Sequence, residues 1–156
     1  MSEVTSDVAA SDATPPPPPS VAVHELVASL QALHGLRPDH NYSAYHTYLT
    51  ARLRRVRKGG GFKHGKGKGT FVPKLLGAPD VAKAPELLAV PLLEAERAWT
   101  YGMEVKQTLE GAKQGHGRLA SHMAARLRKA WAHAQAFEQL CAASSADART
   151  RLEAKA

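Results

Sequence analysis

The stretch LASHMAARLRKAWAHAQAFEQLC, residues 119 to 141, places an apolar residue at every third or fourth position. That spacing keeps the apolar side chains on one face of an α-helix. The pattern therefore predicts a long amphipathic helix that packs against other helices. The predicted apolar face consists of Leu119, Met123, Leu127, Trp131, Ala134, Phe137 and Cys141.

Four further helices are predicted around this one, each bounded by residues that cap or stop a helix. They span 20–35, 41–59, about 85–111, and 147 to the end of the chain. Pro91 either kinks the third of these five helices or marks its true start. The predicted N-cap residues are Ser20, Asn41 and Asp147.

Strands contribute little to the predicted fold. The best candidate, Thr70 to Val72, is followed at once by Pro73, which cannot donate a ladder hydrogen bond. Aromatic residues make up only 6% of the 156 residues, so the core must consist of closely packed helices. We predict an all-α fold of antiparallel helical pairs joined by short connectors.

The chain divides into a tail and a helical domain. Residues 1–19 are acidic and end in five consecutive prolines. Such a run favours polyproline II, so we predict a disordered tail that acts as a spacer rather than as a ligand for an aromatic groove. Residues 20–156 form the domain. Only about two and a half turns of the last helix precede the end of the chain, and we expect a truncated, incomplete domain.

Composition excludes two classes of protein. The single cysteine, Cys141, cannot form an internal disulfide, so the chain is not a stapled secreted module and fits a reducing compartment. The longest apolar run, residues 87–93, has seven residues and contains Pro91, whereas a membrane span needs about 20. We expect no direct insertion into a membrane.

Positive charge is concentrated in one part of the chain. The net charge is +7, yet residues 37–74 hold ten Lys and Arg against Asp39 alone. On a helical wheel, the predicted helix 41–59 has one narrow apolar stripe and is cationic over most of the remaining surface. No acidic residue interrupts the run, although a solvated helix usually mixes signs. The pattern predicts a polyanionic partner, and the cations are Arg52, Arg54, Arg55, Arg57 and Lys58.

The following glycine-rich segment, residues 59–69, is predicted to be a mobile loop that adds Lys63, Lys66 and Lys68 to this surface. An arginine-rich helix fits a DNA major groove directly, whereas the major groove of regular A-form RNA is too narrow. An RNA target must therefore be opened by a loop, bulge or junction. Tyr48 lies within the cationic arc and either stacks on a base or packs on a neighbouring helix.

The same segment resembles a phosphate-binding loop only in part. Gly60, Gly65 and Lys66 match most of G-x-x-x-x-G-K-[ST], but Gly67 replaces the metal-binding hydroxyl and a helix precedes the loop. The eight histidines lack the spacing of a metal site. We predict that the protein is not an enzyme, has no cofactor and no metal site, and buries the thiol of Cys141.

Several blocks of residues, in one order from about Val21 to Ala156, resemble the amino-terminal region of the 68-kDa protein subunit of the eukaryotic signal recognition particle. The first blocks are His34-Gly35-Leu36-Arg37, Tyr45-x-x-Tyr48, Arg52-x-Arg54-Arg55-x-Arg57-Lys58 and Phe62-Lys63. The later blocks are Glu94-Ala95-Glu96-Arg97-Ala98-Trp99-x-Tyr101-x-Met103, Arg126-Leu127-Arg128-Lys129-Ala130-x-x-His133-Ala134, Leu140-Cys141 and Asp147-Ala148-x-Thr150-x-Leu152-Glu153-Ala154.

The resemblance implies a tetratricopeptide-like helical domain that binds the RNA of the particle near a three-way junction. In that family an arginine-rich helix enters a widened RNA groove and helps to bend the RNA, in support of co-translational targeting to the endoplasmic reticulum. The matching residues are Arg52, Arg54, Arg55, Arg57, Lys58 and Lys63. A second basic block matches at Arg126, Arg128 and Lys129, and its contact with RNA stays open.

The resemblance also implies partners and a location. The carboxy-terminal region of the family binds a 72-kDa partner subunit, and it is absent here, so we expect RNA binding without recruitment of that partner. The particle implies a cytoplasmic protein with a nucleolar assembly stage and peripheral association with the endoplasmic reticulum. Ala51 departs from the family, where another basic residue is expected. The alternative is a helical protein-interaction scaffold whose basic helix is merely solvated.

Overall fold

A computed structural model describes residues 17–34, 36, 40–62 and 74–156, together with the backbone of 65–67 and 70–72. The predicted all-α class is confirmed. A 3₁₀ turn, Pro85–Leu88, precedes the fourth helix. The helices in the described residues are α1 Val23–Leu33, α2 Tyr42–Gly59, α3 Ala78–Lys83, α4 Ala89–Gly111, α5 His116–Ala143 and α6 Ala148–Glu153.

Two of the predicted N-caps are confirmed. The Oδ1 atom of Asn41 accepts a hydrogen bond from the amide of Ala44 over 3.0 Å. The Oδ1 atom of Asp147 likewise accepts one from the amide of Thr150 over 3.1 Å. Each side chain satisfies an amide that has no partner within the first turn of its helix, which explains why α2 and α6 begin where they do.

The third predicted cap, Ser20, is wrong, because α1 begins at Val23. The backbone of Val21 is held by α6 instead: its amide donates to Oγ1 of Thr150 over 2.9 Å, and its carbonyl accepts from the same hydroxyl over 3.2 Å. These bonds occupy the groups that an earlier helical turn would need. The predicted tail of residues 1–19 lies mostly outside the described residues, which begin at Pro17.

The helix predicted from Pro85 is two elements. Pro85 opens the 3₁₀ turn and α4 begins at Ala89. Pro91 therefore lies in the first turn of α4, where a missing amide proton costs no hydrogen bond. The short helix α3 was not predicted, although Pro79 and Asp80 are typical first-turn residues. In the structure, the carboxylate of Asp80 accepts a hydrogen bond from the amide of Gly77 over 3.2 Å.

The glycine-rich segment contains a hairpin rather than only a loop. Strand β1, Gly65–Gly67, pairs antiparallel with β2, Thr70–Val72. The best strand candidate of the sequence, Thr70 to Val72, is thus the second strand of this hairpin, and Pro73 lies outside the described residues. Strands of three residues leave the fold class unchanged.

Two apolar clusters join the helices, and α4 packs against both α2 and α5. The first cluster confirms the apolar stripe of α2 and contains Leu30, Tyr45, Leu49, Leu53, Leu87 and Leu93. The second joins α5 to the 3₁₀ turn and to α3 and contains Val81, Leu88, Phe137, Leu140 and Cys141. Each fully buried aliphatic side chain contributes about 1.5–3 kcal/mol.

Helix α5 buries only part of its predicted apolar face. Cys141 is buried as predicted, and burial followed by the charge of Asp147 raises the pKa of its thiol to about 11. Trp131, however, is 67% exposed. A strict four-residue repeat drifts by about 40° per step around a helix of 3.6 residues per turn, so Trp131 lies about 120° from Leu119. Phe137 returns to the buried face.

Candidate nucleic-acid interface

Three cations of α2 point away from its apolar stripe. Arg54, Arg55 and Lys58 are exposed, and none of them forms an ion pair with a described residue. The opposite face of the helix is held by buried residues such as Leu49 and Leu53. These three residues, called the α2 ridge below, form a solvated positive surface that is fixed to the fold by packing.

Arg52 is half-buried and partly engaged by the protein. Its Nη1 atom donates to the hydroxyl of Tyr48 over 3.0 Å, and its Nε atom is buried without an acceptor among the described residues. The ring of Tyr48 stacks on His34 with centroids 3.4 Å apart. The predicted packing of Tyr48 on a neighbouring helix is therefore present, at the end of α1.

Arg57 is directed into the fold. Its guanidinium forms an ion pair with Glu94 on α4, and its side chain is only 23% exposed. The other carboxylate oxygen of Glu94 lies 3.3 Å from Nδ1 of His133 on α5. Burial raises the pKa of Glu94, but the hydrogen bond with His133 and the charge of Arg57 outweigh burial, so the pKa lies below 4.5. Arg57 therefore neutralises a carboxylate of its own molecule.

The predicted lysines of the glycine-rich segment are described only in part. The backbone of Lys66 pairs with Phe71 in the hairpin, whereas its side chain lies outside the described residues. Lys63 and Lys68 also lie outside the described residues. The hairpin follows the carboxyl end of α2, so the segment continues from the end of the ridge.

The second basic block lies on α5. Arg128 and Lys129 are exposed, whereas Arg126 is half-buried. The Nε atom of Arg126 donates to Nε2 of His122 over 3.3 Å, and its guanidinium carbon lies 4.5 Å from the ring centroid of Tyr101. Arg126 is thus positioned by α4 and by its own helix, while its two neighbours face solvent.

Sequence reasoning assigned no role to Arg97, which is half-buried on α4. Its neighbours Glu94 and Glu96 suggest a local ion pair, but Glu94 bonds to Arg57 and His133 instead. Glu96 accepts from Gln31 over 2.7 Å and from the Tyr45 hydroxyl over 3.0 Å. Only the packing of the helices reveals that these acids are occupied elsewhere.

Among the described residues, no group of three or more His, Cys, Asp or Glu could hold a metal ion. None of the helices that the structure describes has the length and apolar character needed to cross a membrane.

Comparison with known proteins gives consistent matches. The model of a family described as RNA-binding signal recognition particle 68 matches residues 39–156. The signal recognition particle subunit SRP68 of Drosophila melanogaster is 33% identical over 143 residues, which cover 88% of this chain and 22% of that protein. The Caenorhabditis elegans subunit SRP68 is 35% identical over 147 residues, covering 90% and 23%. The chain spans about a fifth of the length of these relatives.

Proposed function

The chain belongs to the RNA-binding signal recognition particle 68 family, and from this premise we propose that it binds the RNA of the signal recognition particle. The observation that carries the proposal is the α2 ridge, whose Arg54, Arg55 and Lys58 are exposed without a carboxylate partner among the described residues. A site near a three-way junction and a role in targeting nascent proteins to the endoplasmic reticulum complete the proposal.

The dimensions of α2 support an opened RNA target. A helix with its side chains is about 10–12 Å wide, which exceeds the narrow major groove of regular A-form RNA. A junction or internal loop widens that groove, and the ridge can then contact phosphates from within it. Arg54 and Arg55 offer planar donor forks for phosphate, and Lys58 adds a point charge.

The remaining predicted residues take different parts in this proposal. Arg52 and Arg57 are engaged by Tyr48 and Glu94, so we assign them mainly to fixing the orientation of α2. The exposed Arg128 and Lys129 would contact RNA from α5. Lys63, Lys66 and Lys68 would extend the contact beyond α2.

The wider setting is proposed on the basis of the family. The particle functions in the cytoplasm, assembles in part in the nucleolus and associates peripherally with the endoplasmic reticulum. A 72-kDa partner subunit would bind the full-length protein through a region outside the residues of this sequence. The RNA contact of α2 is independent of that partner.

The salt dependence of RNA binding tests the ridge. The three phosphate contacts of the ridge contribute about −2 to −3 to the slope of log affinity against log salt. The triple variant R54Q, R55Q and K58Q should reduce the slope by that amount, because each lost contact removes roughly 1. The matched control replaces Lys83, Lys113 and Arg118 by Gln, which removes the same charge from exposed positions elsewhere. An equal loss in both variants would reject the ridge as the RNA site.

A protein-interaction scaffold is the second candidate function. An apolar groove of about 540 Å³ lies between α4, α5 and residues 74–78, and it is lined by Val90, Pro91 and Leu140 among others. Leu75 beside it is 89% exposed. Capture of partners after ribonuclease treatment separates the candidates, because protein contacts survive the loss of RNA.

A further inference from the structure

A small polar cavity lies where α2, α4 and α5 meet. Its volume is about 150 Å³, and its lining comes from all three helices: His46 on α2, Arg97 and Tyr101 on α4, and Arg126 and Lys129 on α5. It is separate from the ridge, and none of its residues on α2 or α4 was predicted as a contact. A cavity shared by three helices keeps its shape as long as the fold is intact.

The cavity has more positive than negative charge. Arg97, Arg126 and Lys129 are cationic, whereas Glu94 is the only carboxylate in the lining. Both oxygens of Glu94 are occupied, one by Arg57 and the other by His133. Among the described residues, neither Arg97 nor Lys129 forms a hydrogen bond or an ion pair with a carboxylate, and the single charge of Glu94 is shared among several cations.

Burial and neighbouring positive charge lower the pKa of two groups that line the cavity. Burial lowers the pKa of His46, the charges of Arg97 and Arg126 lower it further, and Glu104 on α4 opposes them. Burial also lowers the pKa of Arg97, with Glu94 opposing and Arg57 contributing. Half-buried cations without counter-ions are stabilised when an anion enters.

The guanidinium of Arg126 is held in place before any ligand arrives. The Nε atom of Arg126 is bonded to His122, and its guanidinium lies over the ring of Tyr101 at 4.5 Å. The ring of His46 packs on the same tyrosine with centroids 5.4 Å apart. The two Nη groups of Arg126 have no acceptor among the described residues. A guanidinium group that is already held in position loses little side-chain entropy when it binds an oxyanion.

We propose that Arg97, Arg126 and Lys129 bind one phosphate of the RNA backbone in this cavity. The inference rests on the proposed function, since it assigns the anion to the same RNA that the ridge contacts. The volume of about 150 Å³ has room for one tetrahedral oxyanion. His46 precedes Arg54 by eight residues, or about 12 Å along α2, so one RNA strand can contact both the cavity and the ridge.

The salt dependence of RNA binding by the full 156-residue chain tests this assignment. The double variant R97Q and K129Q should reduce the slope of log affinity against log salt by about 1 and weaken binding about tenfold at fixed salt. The matched control K113Q and R118Q removes the same two charges outside the cavity. A loss of slope in K129Q alone fits a surface contact of the exposed Lys129, whereas a loss of slope in the single variant R97Q assigns the contact to the cavity.

A second measurement distinguishes the source of the anion. Inorganic phosphate in the cavity should raise the pKa of His46, followed by nuclear magnetic resonance, and the double variant should abolish the shift. A phosphate response combined with an RNA slope equal to that of the control would indicate a site for free oxyanions and overturn the proposal. If the ridge variant reduces the slope and the cavity double variant does not, the cavity proposal is overturned and the proposed function stands. Absence of RNA binding by the unaltered chain would reject both.

Discussion

At the scale of single residues, Glu94 balances charge among three helices. It lies on α4, bonds to Arg57 on α2 and contacts His133 on α5. Its side chain is only 19% exposed, so these partners largely replace water around the carboxylate. The contact fixes α2 against α4 in addition to the apolar stripe. The orientation of the ridge therefore depends on a residue that makes no contact with RNA in our proposal.

Replacement of Glu94 by Gln should destabilise the fold. Glutamine keeps the shape of the side chain but leaves the half-buried guanidinium of Arg57 without a counter-ion. Hydrogen bonds to charged groups contribute about 1.5–3 kcal/mol, and we expect a loss of that size in the free energy of unfolding in urea. The control E138Q, at an exposed position of α5, should change it by less than about 0.5 kcal/mol. Equal effects would contradict the assignment.

The hydrogen bond of Glu94 with His133 and its ion pair with Arg57 predict a dependence of stability on pH. The pKa of Glu94 in the folded protein lies below its ordinary value of 4.5. The stabilisation is therefore fully present above pH 4.5 and is lost as the pH falls through the folded-state pKa. The difference in unfolding free energy between the unaltered chain and E94Q should shrink on acidification. A difference that stays constant down to strongly acidic pH would contradict this prediction.

At the scale of elements, α2 ends in close contact with the 3₁₀ turn. Gly60 caps the helix, and its amide donates to the carbonyl of Val56 over 3.0 Å. A Cβ atom at Gly60 would lie 2.6 Å from the Cγ and Cδ2 atoms of Leu87, a residue that is 1% exposed. A buried leucine branch point has little space to move. The absence of a side chain at Gly60 thus permits the helix and the turn to approach.

Replacement of Gly60 by Ala should reduce the thermal stability of the protein. Overpacking of a filled core costs about 1–3 kcal/mol, because side chains or backbone must shift. The neighbouring substitution G59A is the matched control, since nothing lies within 4 Å of a Cβ atom there. Alanine at Gly59 should be neutral or raise the melting temperature slightly, because glycine is the weaker helix former. A melting temperature unchanged in G60A would show that Leu87 can repack.

The sequence predicted those elements whose local pattern and tertiary packing agree. In α2 the apolar stripe, the Asn41 cap and the stop at Gly59 all indicate the same helix, and the structure contains it. In α5 the four-residue repeat included Trp131, which the drift of the helix carries to the surface. The hairpin was missed for two reasons. Its strands have three residues each, too few to show an alternating pattern, and two residues of the first strand are glycines, which are unfavourable in strands.

The candidate site follows the same division. The cationic face of α2 could be predicted, because charge and helical period are properties of the local sequence. The pairing of Arg57 with Glu94 could not, since the two residues are 37 positions apart and meet only after α2 and α4 pack. The cavity around Arg97 requires three helices at once, and no spacing within one helix indicates it.

At the scale of the whole molecule, the first described residues are attached to the last helix. The carbonyl of Pro19 accepts from the amide of Asp147 over 3.2 Å, and the amide of Val23 donates to Oε2 of Glu153 over 2.6 Å. Val21 bonds through both backbone groups to Thr150. These contacts span about 130 residues of sequence. They close the helical domain into one unit, so α6 should be stable only while the segment before α1 is in place.

Replacement of Thr150 by Val tests this closure. Valine has nearly the shape of threonine but lacks the hydroxyl, so the amide and carbonyl of Val21 lose their partner beside a side chain that is 1% exposed. A buried polar group without a hydrogen bond costs about 1–3 kcal/mol. We expect a loss of that size in the unfolding free energy and faster amide exchange at Val21. The control T108V removes only an exposed hydroxyl that bonds within α4, and it should leave both measurements unchanged. Slow exchange at Val21 in T150V would contradict the role assigned to the Thr150 hydroxyl, because the segment before α1 would then stay closed against α6 without this hydrogen bond.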